Sequence, residues 1–340
     1  MFGSENFVAQ IYFRTTTGRQ EANIDRIGNY LLWYAKDISS VKSKKLFVPK
    51  DSIEEDEISA GDLQSQGVRT TGSYVVKHQG REYVPLEGNH WKVTEDGLQR
   101  LIRAERVISM KTVLRFRRFA SDFPVLTISD VWTDTSGGAG ADKVYVVQTT
   151  TKIVERCMLM TTDPGDLVLD PTCGSGTTAV VAEQGGRRWI TTDTSRVAIA
   201  LARIRLMATK FPYYLLNDSI EGARKEAELS GSFPPDRKFE NDVRKGFVYK
   251  RVPHVIPSSI ANNAEIDEIH DRWQKKLEPI REKLNRLRKA SWKEWEIPRE
   301  SDKDWPMEAK SALEDYWKLR QDRQKEIDAS IAKKADTERL

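Results

Sequence analysis

Two glycines and several hydroxyl groups stand together in the segment Asp170–Thr178 (DPTCGSGTT), directly after a short apolar run. Glycines let a backbone approach a ligand closely, and the free amides of a helix that begins there attract polar or anionic groups. Gly174–Ala179 fits the G-x-G-x-x-A pattern of dinucleotide-binding loops, whereas the absence of a lysine before the Thr pair argues against a Walker A loop. By itself the pattern predicts a loop for a pyrophosphate, or for a carboxylate and a sugar, with a plain tight turn as the alternative.

Two aspartates bracket this loop. Asp170 ends the apolar run before the glycines, and Asp193 ends the next β-forming run, RWITTD. An acid at the second position accepts hydrogen bonds from ribose hydroxyls in nucleoside-binding βαβ folds. A carboxylate at the first position repels a pyrophosphate but attracts a cationic amino-acid group. The pair therefore favours S-adenosylmethionine, a nucleoside with an ammonium and a sulfonium group, over a dinucleotide.

The elements around the loop form a strand–turn–helix–strand pattern. Residues 166–170 predict a strand, 177–184 a helix that Gly185-Gly186 ends, 188–193 a second strand and 195–210 a second helix. This order is the βαβ unit of a doubly wound parallel sheet, so the fold class is α/β. Tyr213–Leu216 (YYLL) is predicted as a third parallel strand.

The loop sequence resembles the D-P-F-x-G-S-G-T-T signature of adenine-N6/cytosine-N4 DNA methyltransferases with the β-type motif order; Thr172 stands where that family usually has Phe. Four other regions also resemble type III modification subunits and related large methylases: FGSENFVAQIYF with NYLLWYAKD, the segment Asp130–Asp134, VVQTTTKIVERCMLM, and the tail from RKGFVYKRVPHV to SIANNAEID. The resemblance implies a Rossmann-like S-adenosylmethionine-dependent methyltransferase sheet, an inserted mixed α+β target-recognition region and a C-terminal helical hairpin. It assigns cofactor binding to Thr150, Thr151, Lys152, Asp170, Pro171, Cys173, Gly174, Ser175, Gly176, Thr177, Asp193 and Thr194.

The resemblance also implies a division of the chain and a set of partners. The predicted segments are 1–44 (strands of the catalytic subdomain), 45–145 (target-recognition region), 146–220 (cofactor-binding βαβ core), 221–262 (linker and strand) and 263–340 (helical hairpin). In the last segment, Ile266, Trp273, Ile280 and Leu287 recur every seven residues, which predicts an apolar seam that packs against the protein's own body, with a coiled-coil dimer as the alternative. Double-stranded DNA is the expected substrate, and a restriction or helicase subunit is a further expected partner.

The catalytic loop of that family, [D/N/S]-P-P-[Y/F/W], is absent from the sequence. Ser232–Asp236 (SFPPD) comes nearest, but its order differs and it lies in a polar stretch. In the β-type order the loop precedes FGSENF, so we expect the chain to be part of a longer enzyme or a separately encoded piece. No catalytic residue is therefore assigned, and the isolated chain is expected to bind cofactor weakly and not to methylate DNA. The missing N-terminal catalytic portion is a predicted partner.

Basic residues are concentrated before the glycine loop. Val68–Ala120 contains eleven Lys and Arg against five acidic residues, an excess of +6, whereas the whole chain has a net charge of +4. A polyanionic partner or a solvated face both fit this excess. Arg115, Arg117 and Arg118 lie in LRFRRF, a predicted strand in which Arg115 and Arg117 share a face, and we assign phosphate contacts to these three. The nearby aromatic residues Tyr83, Trp91 and Phe116 are expected to pack rather than to touch bases.

Several classes of function are disfavoured. No apolar run reaches the ~18 residues of a transmembrane helix, and the N-terminus lacks a signal peptide, so we expect a cytoplasmic protein without membrane contact. Neither of the two cysteines follows a proline as a cytosine-C5 methyltransferase nucleophile usually does, and the four scattered histidines predict no metal site. Three hypotheses remain: part of a DNA amino-methyltransferase, a non-catalytic DNA-binding scaffold, and a nicotinamide-dependent oxidoreductase.

Overall fold

The computed structural model describes residues 2–19, 23–50, 58–136 and 149–340, with side chains from 16 to 19 left out. The predicted boundary near residue 145, the start of VVQTTTKIVERCMLM and much of the acidic stretch after Lys50 lie outside these ranges. The helices are α1 Glu95–Arg103, α2 Thr151–Thr161, α3 Thr177–Gln184, α4 Arg196–Ala208, α5 Ile220–Ser230, α6 Pro257–Ala261, α7 Glu265–Arg288 and α8 Met307–Lys334.

The strands are short apart from the first two. They are β1 Phe7–Arg19, β2 Arg26–Tyr34, β3 Phe47–Pro49, β4 Ile58–Asp62, β5 Gln64–Gln66, β6 Val76–His78, β7 Arg81–Tyr83, β8 Asn89–Trp91, β9 Val107–Ser109, β10 Leu114–Phe119, β11 Val125–Thr127, β12 Val131–Trp132, β13 Leu167–Asp170, β14 Arg188–Thr191, β15 Arg251–His254 and β16 Asp336–Arg339. No described helix is long and apolar enough to cross a membrane.

The chain forms two compact units. The first contains residues 1–49, 125–251 and 339–340, and the second contains 50–124 and 252–338. Most of the predicted target-recognition region and most of the predicted helical hairpin therefore belong to one unit. The five predicted segments do not map one by one onto these units, and as functional domains they stay a prediction.

In the first unit, β13, α3, β14 and α4 form the predicted βαβ arrangement, which is Rossmann-like. The two strands pair in parallel, with Leu167 opposite Arg188 and Asp170 opposite Thr191. Gly185 is the C-cap of α3, as its position after the apolar run predicts. Ser195 caps α4 by accepting a hydrogen bond from the Ala198 amide at 3.3 Å. These local signals explain where α3 ends and where α4 begins.

The predicted third parallel strand is wrong. Residues 213–216 form no strand beside β14; Leu216 instead makes an antiparallel bridge to Phe247. The amide of Val248 donates to the carbonyl of Leu215 at 2.9 Å, and the Tyr214 ring lies 5.3 Å from that of Phe247. The segment at Phe247 and Val248 thus pairs with the backbone of Leu215 and Leu216 and contacts the Tyr214 ring. These groups are therefore not available to a third parallel strand.

The segment 221–262, predicted as a linker and strand, is wrong at its start, because α5 occupies Ile220–Ser230. Ser219 accepts the amide of Gly222 at 3.0 Å and so caps the helix, and Ala223 and Ala227 are buried on one face of α5. Only one face of the β1–β2 ribbon is buried. Ile11 and Phe13 are buried, whereas Leu32 is 62% exposed.

The second unit has its core between α1, the small sheets and the C-terminal helices. Leu98 and Leu101 of α1 pack with Ile266 of α7 and Ile327 of α8. Farther along the hairpin, Leu277 and Leu284 are buried against residues of α8, including Leu313 and Tyr316. The apolar seam of α7 therefore packs inside the chain, as predicted.

Candidate cofactor and DNA sites

The glycine loop connects the carboxyl end of β13 to the first turn of α3. Gly174 and Gly176 have φ values of +49° and +77°, which residues with a side chain rarely adopt. A Cβ on Gly176 would lie 2.8 Å from the Cβ of Ala202 in α4. Gly176 is therefore required both by its backbone conformation and by the close approach of α4.

Backbone hydrogen bonds fasten the loop to the second strand. The amide of Cys173 donates to the carbonyl of Thr192 at 2.9 Å, and the amide of Thr192 donates to the carbonyl of Asp170 at 3.0 Å. The Asp170 carboxylate accepts the amide of Thr172 at 3.0 Å, which makes a local turn after the strand. Pro171 is exposed, and the side chain of Cys173 is buried, so Cys173 packs inside the loop.

Asp193 joins the loop to the helix that follows β14. Its carboxylate accepts the amide of Ser195 at 2.8 Å and the amide of Gly174 at 2.9 Å, one on each oxygen. These two donors hold the pKa of Asp193 below its ordinary value, so the group is ionised near neutral pH. Each oxygen keeps a second lone pair, which can accept a hydroxyl group. Thr194, the adjacent residue, is exposed.

Ser175 and Thr177 do not face solvent. Their side chains are buried, and the guanidinium of Arg205 in α4 donates to Thr177 Oγ1 at 2.9 Å and to Ser175 Oγ at 3.3 Å. Both hydroxyls therefore connect the loop to α4 on the side that faces away from solvent. Sequence reasoning missed Arg205, although a signal was present. Arg205 follows Ala198 and Ala202 at helical spacing and is the polar residue on the buried face of an otherwise apolar helix.

Thr150, Thr151 and Lys152 lie at the amino end of α2. Thr150 Oγ1 donates to the carbonyl of Thr135 at 3.4 Å, and Thr151 is exposed. Lys152 Nζ forms an ion pair with Asp134 at 2.6 Å, so the structure ties this lysine to the segment Asp130–Asp134 rather than leaving it unpaired.

Asp134 is a second functional candidate that sequence reasoning did not single out. Besides Lys152, it binds the buried Arg156 with both carboxylate oxygens, at 2.8 and 2.7 Å. The Arg156 hydrogen bonds, together with Lys152, hold the pKa of Asp134 well below its ordinary value. This carboxylate therefore fastens the amino end of α2 to the segment before it.

In the second unit, β10 is the predicted basic strand. Leu114 and Phe116 are buried, whereas Arg115 and Arg117 lie on the opposite face and are partly exposed, as the alternation predicts. Arg115 forms an ion pair with Asp62 across the sheet, and Arg118 is exposed. A phosphate at Arg115 would compete with Asp62.

Several other basic residues of this unit serve its own core. Arg100 and Arg103 both bind the carboxylate of Asp267 in α7, at 2.7 and 2.6 Å. Arg106 forms a buried ion pair with Asp122 at 2.7 Å. The charge excess of this region is thus partly structural. The aromatic residues named above, Tyr83, Trp91 and Phe116, are all buried in the core, as expected.

Metal and thiol chemistry receive no support from the described residues. They contain no group of three or more His, Cys, Asp or Glu that could hold a metal ion. Cys157 and Cys173 are free thiols, and burial raises the pKa of Cys157 to about 11. A thiol with that pKa is protonated near neutral pH and is a poor nucleophile.

A cavity of 260 Å³ lies in the first unit at the carboxyl end of α3, where Gln184 and Gly185 line it together with Tyr214, Phe247 and Tyr249. The glycine loop is at the opposite end of this helix, about 12 Å away for eight residues. The cavity is therefore separate from the candidate cofactor site.

Comparison with known proteins gives a family. The N6_N4_Mtase model, described as DNA methylase, matches residues 2–203, which include the glycine loop and Asp193. The chain is a member of this DNA methylase family. The family transfers methyl groups from S-adenosylmethionine, and membership removes the nicotinamide-dependent oxidoreductase from the remaining hypotheses.

The chain is similar to several bacterial type II methyltransferases. The chain is 40% identical to M2.DpnII of Streptococcus pneumoniae over 87 residues, which are 24% of the chain and 31% of that protein. It is 25% identical to M.EcaI of Enterobacter cloacae over 229 residues, which are 62% of the chain and 50% of that protein. The matched part of the chain thus spans half the length of M.EcaI and less than half the length of M2.DpnII. Among solved structures, the M1.HpyAVI–SAM complex covers 27% of the chain and 47% of its own length, with 23% identity and a TM-score of 0.22.

Proposed function

We propose that this DNA methylase chain binds S-adenosylmethionine at the glycine loop and recognises double-stranded DNA through the second unit, as one portion of an amino-methyltransferase. The observation that carries the proposal is the loop Asp170–Thr178 with Asp193 fastened to it. Its glycines have positive φ, α3 begins within its last two residues, and an ionised carboxylate lies beside it. This arrangement fits the ribose and amino-acid groups of the cofactor.

The chemistry requires no covalent enzyme intermediate. When bound, the cofactor supplies a methyl group made electrophilic by the sulfonium. Transfer to an exocyclic amine of the target base would leave the sulfur neutral and release one proton from the amine to water or to the catalytic loop, because no residue of this chain is assigned as its acceptor. Before this step, the target base must leave the helical stack, at a cost of about a few kcal/mol.

Within this reaction the loop residues have positioning roles. Asp193 would accept the ribose hydroxyls with its remaining lone pairs, and Asp170 would attract the ammonium group. Arg205 holds Ser175 and Thr177, so the loop keeps its shape before a ligand arrives. The groups that accept hydrogen bonds from the target amine belong to the [D/N/S]-P-P-[Y/F/W] loop, which the sequence lacks.

We therefore propose that a partner carrying that tetrapeptide is needed for turnover and that the isolated chain is inactive. Adenine-N6 is the proposed target, because the resemblance to type III modification subunits favours it over cytosine-N4. The cytoplasmic location and a restriction or helicase subunit remain predictions from the sequence.

The second candidate function is a non-catalytic DNA-binding scaffold. The internal use of Ser175, Thr177 and Lys152 favours it, because these groups already have protein partners. Calorimetric titration with S-adenosylmethionine separates the two functions, and NAD serves as the control ligand. Saturable binding of the first compound alone supports the proposal, and no binding of either supports the scaffold. An Asp193→Ala variant should bind at least tenfold more weakly, whereas Asp236→Ala, which changes an exposed aspartate outside the glycine loop, should bind like the parent chain.

Turnover is tested separately with a mixed DNA library. The chain should not methylate this DNA alone, and it should do so when the polypeptide encoded directly upstream is expressed with it. Methylation by the chain alone would refute the need for a partner. Mass analysis of the digested product identifies the methylated base, and N4-methylcytosine would refute the proposed adenine target.

A further inference from the structure

Arg187, the residue before β14, is a buried arginine that is only 5% exposed. Its Nε donates to Thr162 Oγ1 at 3.1 Å, its Nη2 to the Thr162 carbonyl at 2.9 Å and its Nη1 to the Gly185 carbonyl at 2.6 Å. Within the described part of the chain these are its hydrogen bonds, and all three accepting oxygens are uncharged. A guanidinium has five N–H donors, so one donor on each Nη is left over.

The charge of Arg187 is also poorly compensated. Burial lowers the pKa of this guanidinium, and the interactions with Tyr249 and with two aspartates offset the effect only in part. Those aspartates, Asp163 and Asp166, are both paired with Lys42, at 3.0 and 2.7 Å. Arginine stays protonated near neutral pH, and a buried cation is unfavourable unless an anion pairs with it. The surroundings of Arg187 therefore favour an added anion.

Arg187 lines the cavity of 260 Å³ at the carboxyl end of α3. The rest of the lining is mainly apolar and aromatic, and it includes Met158, Leu159, Val181, Tyr214, Phe247 and Tyr249. All of these residues belong to the first unit. A dry cavity of about 150 Å³ holds benzene, so this cavity is large enough for one aromatic ring with a short polar side chain. Such a space, apolar with a single buried charge, has the character of a small-molecule site.

Two other charged residues line the cavity, and they have opposite signs. Glu155 opposes an anion and Lys250 attracts one, but both are exposed. Water and salt screen exposed charges much more than buried ones. The buried guanidinium therefore sets the charge preference of the cavity. Its two remaining donors match the two oxygens of a carboxylate, which arginine commonly binds with both.

We propose that this cavity binds a small aromatic carboxylate, with the carboxylate on Arg187 and the ring between the apolar wall of Met158 and the ring of Phe247. The site is separate from the glycine loop, and it does not depend on the proposed function. A chain that binds no S-adenosylmethionine could still bind this ligand, so the two proposals fail separately.

The probe is phenylacetate, titrated into the full chain by calorimetry. Phenylacetamide has nearly the same shape without the charge, and phenethylamine carries the opposite charge. We expect saturable binding of phenylacetate that is about tenfold tighter than that of either comparison compound, because charge-assisted hydrogen bonds are about twice as strong as neutral ones. Equal binding of phenylacetate and phenylacetamide overturns the role of the charge. Tighter binding of phenethylamine, or no saturable binding of phenylacetate, overturns the proposal as a whole.

The variant Arg187→Met removes the charge and keeps much of the side-chain length. It should bind phenylacetate about tenfold more weakly and phenylacetamide within about twofold of the parent chain. The matched control is Arg188→Met, because Arg188 is the adjacent arginine and is exposed. This control should bind phenylacetate within about twofold of the parent. Equal losses in the two variants, or no loss in Arg187→Met, would contradict the assignment to Arg187.

A measurement on the parent chain covers the case in which Arg187→Met does not fold. With methionine methyl groups labelled with carbon-13, bound phenylacetate should give nuclear Overhauser effects from its ring to the methyl group of Met158. Met207 is the control, because it is 83% exposed on α4 and does not line the cavity. Effects at Met207 but not at Met158, or at neither, place the ligand elsewhere and overturn the proposed site.

Discussion

Arg205 offers a test of how the loop is held before the cofactor binds. The variant Arg205→Met keeps the length and apolar packing of the side chain but removes the donors to Thr177 and Ser175. A hydrogen bond from a charged group contributes about 1.5–3 kcal/mol, and the contact at 2.9 Å to the buried Thr177 hydroxyl should dominate over the one at 3.3 Å. We therefore expect the free energy of unfolding to fall by about 1.5–3 kcal/mol.

Cofactor affinity should fall as well, because the loop would populate conformations that cannot bind. If about 1.4 kcal/mol of the loss falls on the loop conformation, the Kd for S-adenosylmethionine rises about tenfold. Urea denaturation gives the stability and calorimetry gives the Kd. The matched control is Arg203→Met, an exposed arginine on the same helix, which should change stability by less than about 0.5 kcal/mol.

A double-mutant cycle with Thr177→Val assigns the effect to the contact itself. Thr177→Val removes the hydroxyl and keeps the shape, so its effect and that of Arg205→Met should be markedly less than additive. Additive losses, or equal results for Arg205→Met and Arg203→Met, would refute the bracing role of Arg205.

Three further outcomes follow from the structure. Replacing Arg115 and Arg117 by Gln should weaken binding to duplex DNA and reduce its salt dependence by about two counterions; an unchanged slope of log affinity against log salt would contradict the assignment. Asp122→Ala should cost about 3–5 kcal/mol in urea denaturation, because it leaves Arg106 buried without its partner, and a loss under about 1 kcal/mol would show that the pair is dispensable. The pKa of Asp134 is lowered from 3.8, so its stabilising ionic contacts should be present above that pH and lost as the pH falls below it. The difference in stability between the parent chain and Asp134→Asn should therefore shrink on acidification, and a difference independent of pH between about 2 and 7 would refute the ionic origin.

The sequence predicts the cofactor unit well because its signals are local. Strong β-formers give β13 and β14, Gly185 ends α3 and Ser195 caps α4, and each signal acts within a few residues. The same local alternation places Arg115 and Arg117 on one face of β10. These features depend on φ preferences, capping and burial, which short stretches of sequence already specify.

Features that depend on distant residues could not be predicted. Tyr213–Leu216 has the composition of a strand, but the segment at Phe247 pairs with it and excludes the parallel arrangement. The basic excess after Val68 indicates a polyanion, yet Arg100 and Arg103 are paired with Asp267, more than 160 residues later in the chain. Arg205 was missed because its two partners, Ser175 in the loop and Thr177 in α3, lie 30 and 28 residues earlier in the chain. In each case, a contact distant in sequence decides the role of a residue.

The central claim, that S-adenosylmethionine binds at the glycine loop, is tested most directly by ultraviolet cross-linking with cofactor labelled in the methyl group. Trypsin releases residues 157–187 as one peptide, which contains the whole loop Asp170–Thr178. Label should appear in this peptide and be displaced by unlabelled S-adenosylmethionine but not by NAD. Displaceable label confined to a different peptide, such as one from the cavity around Phe247, would contradict the account.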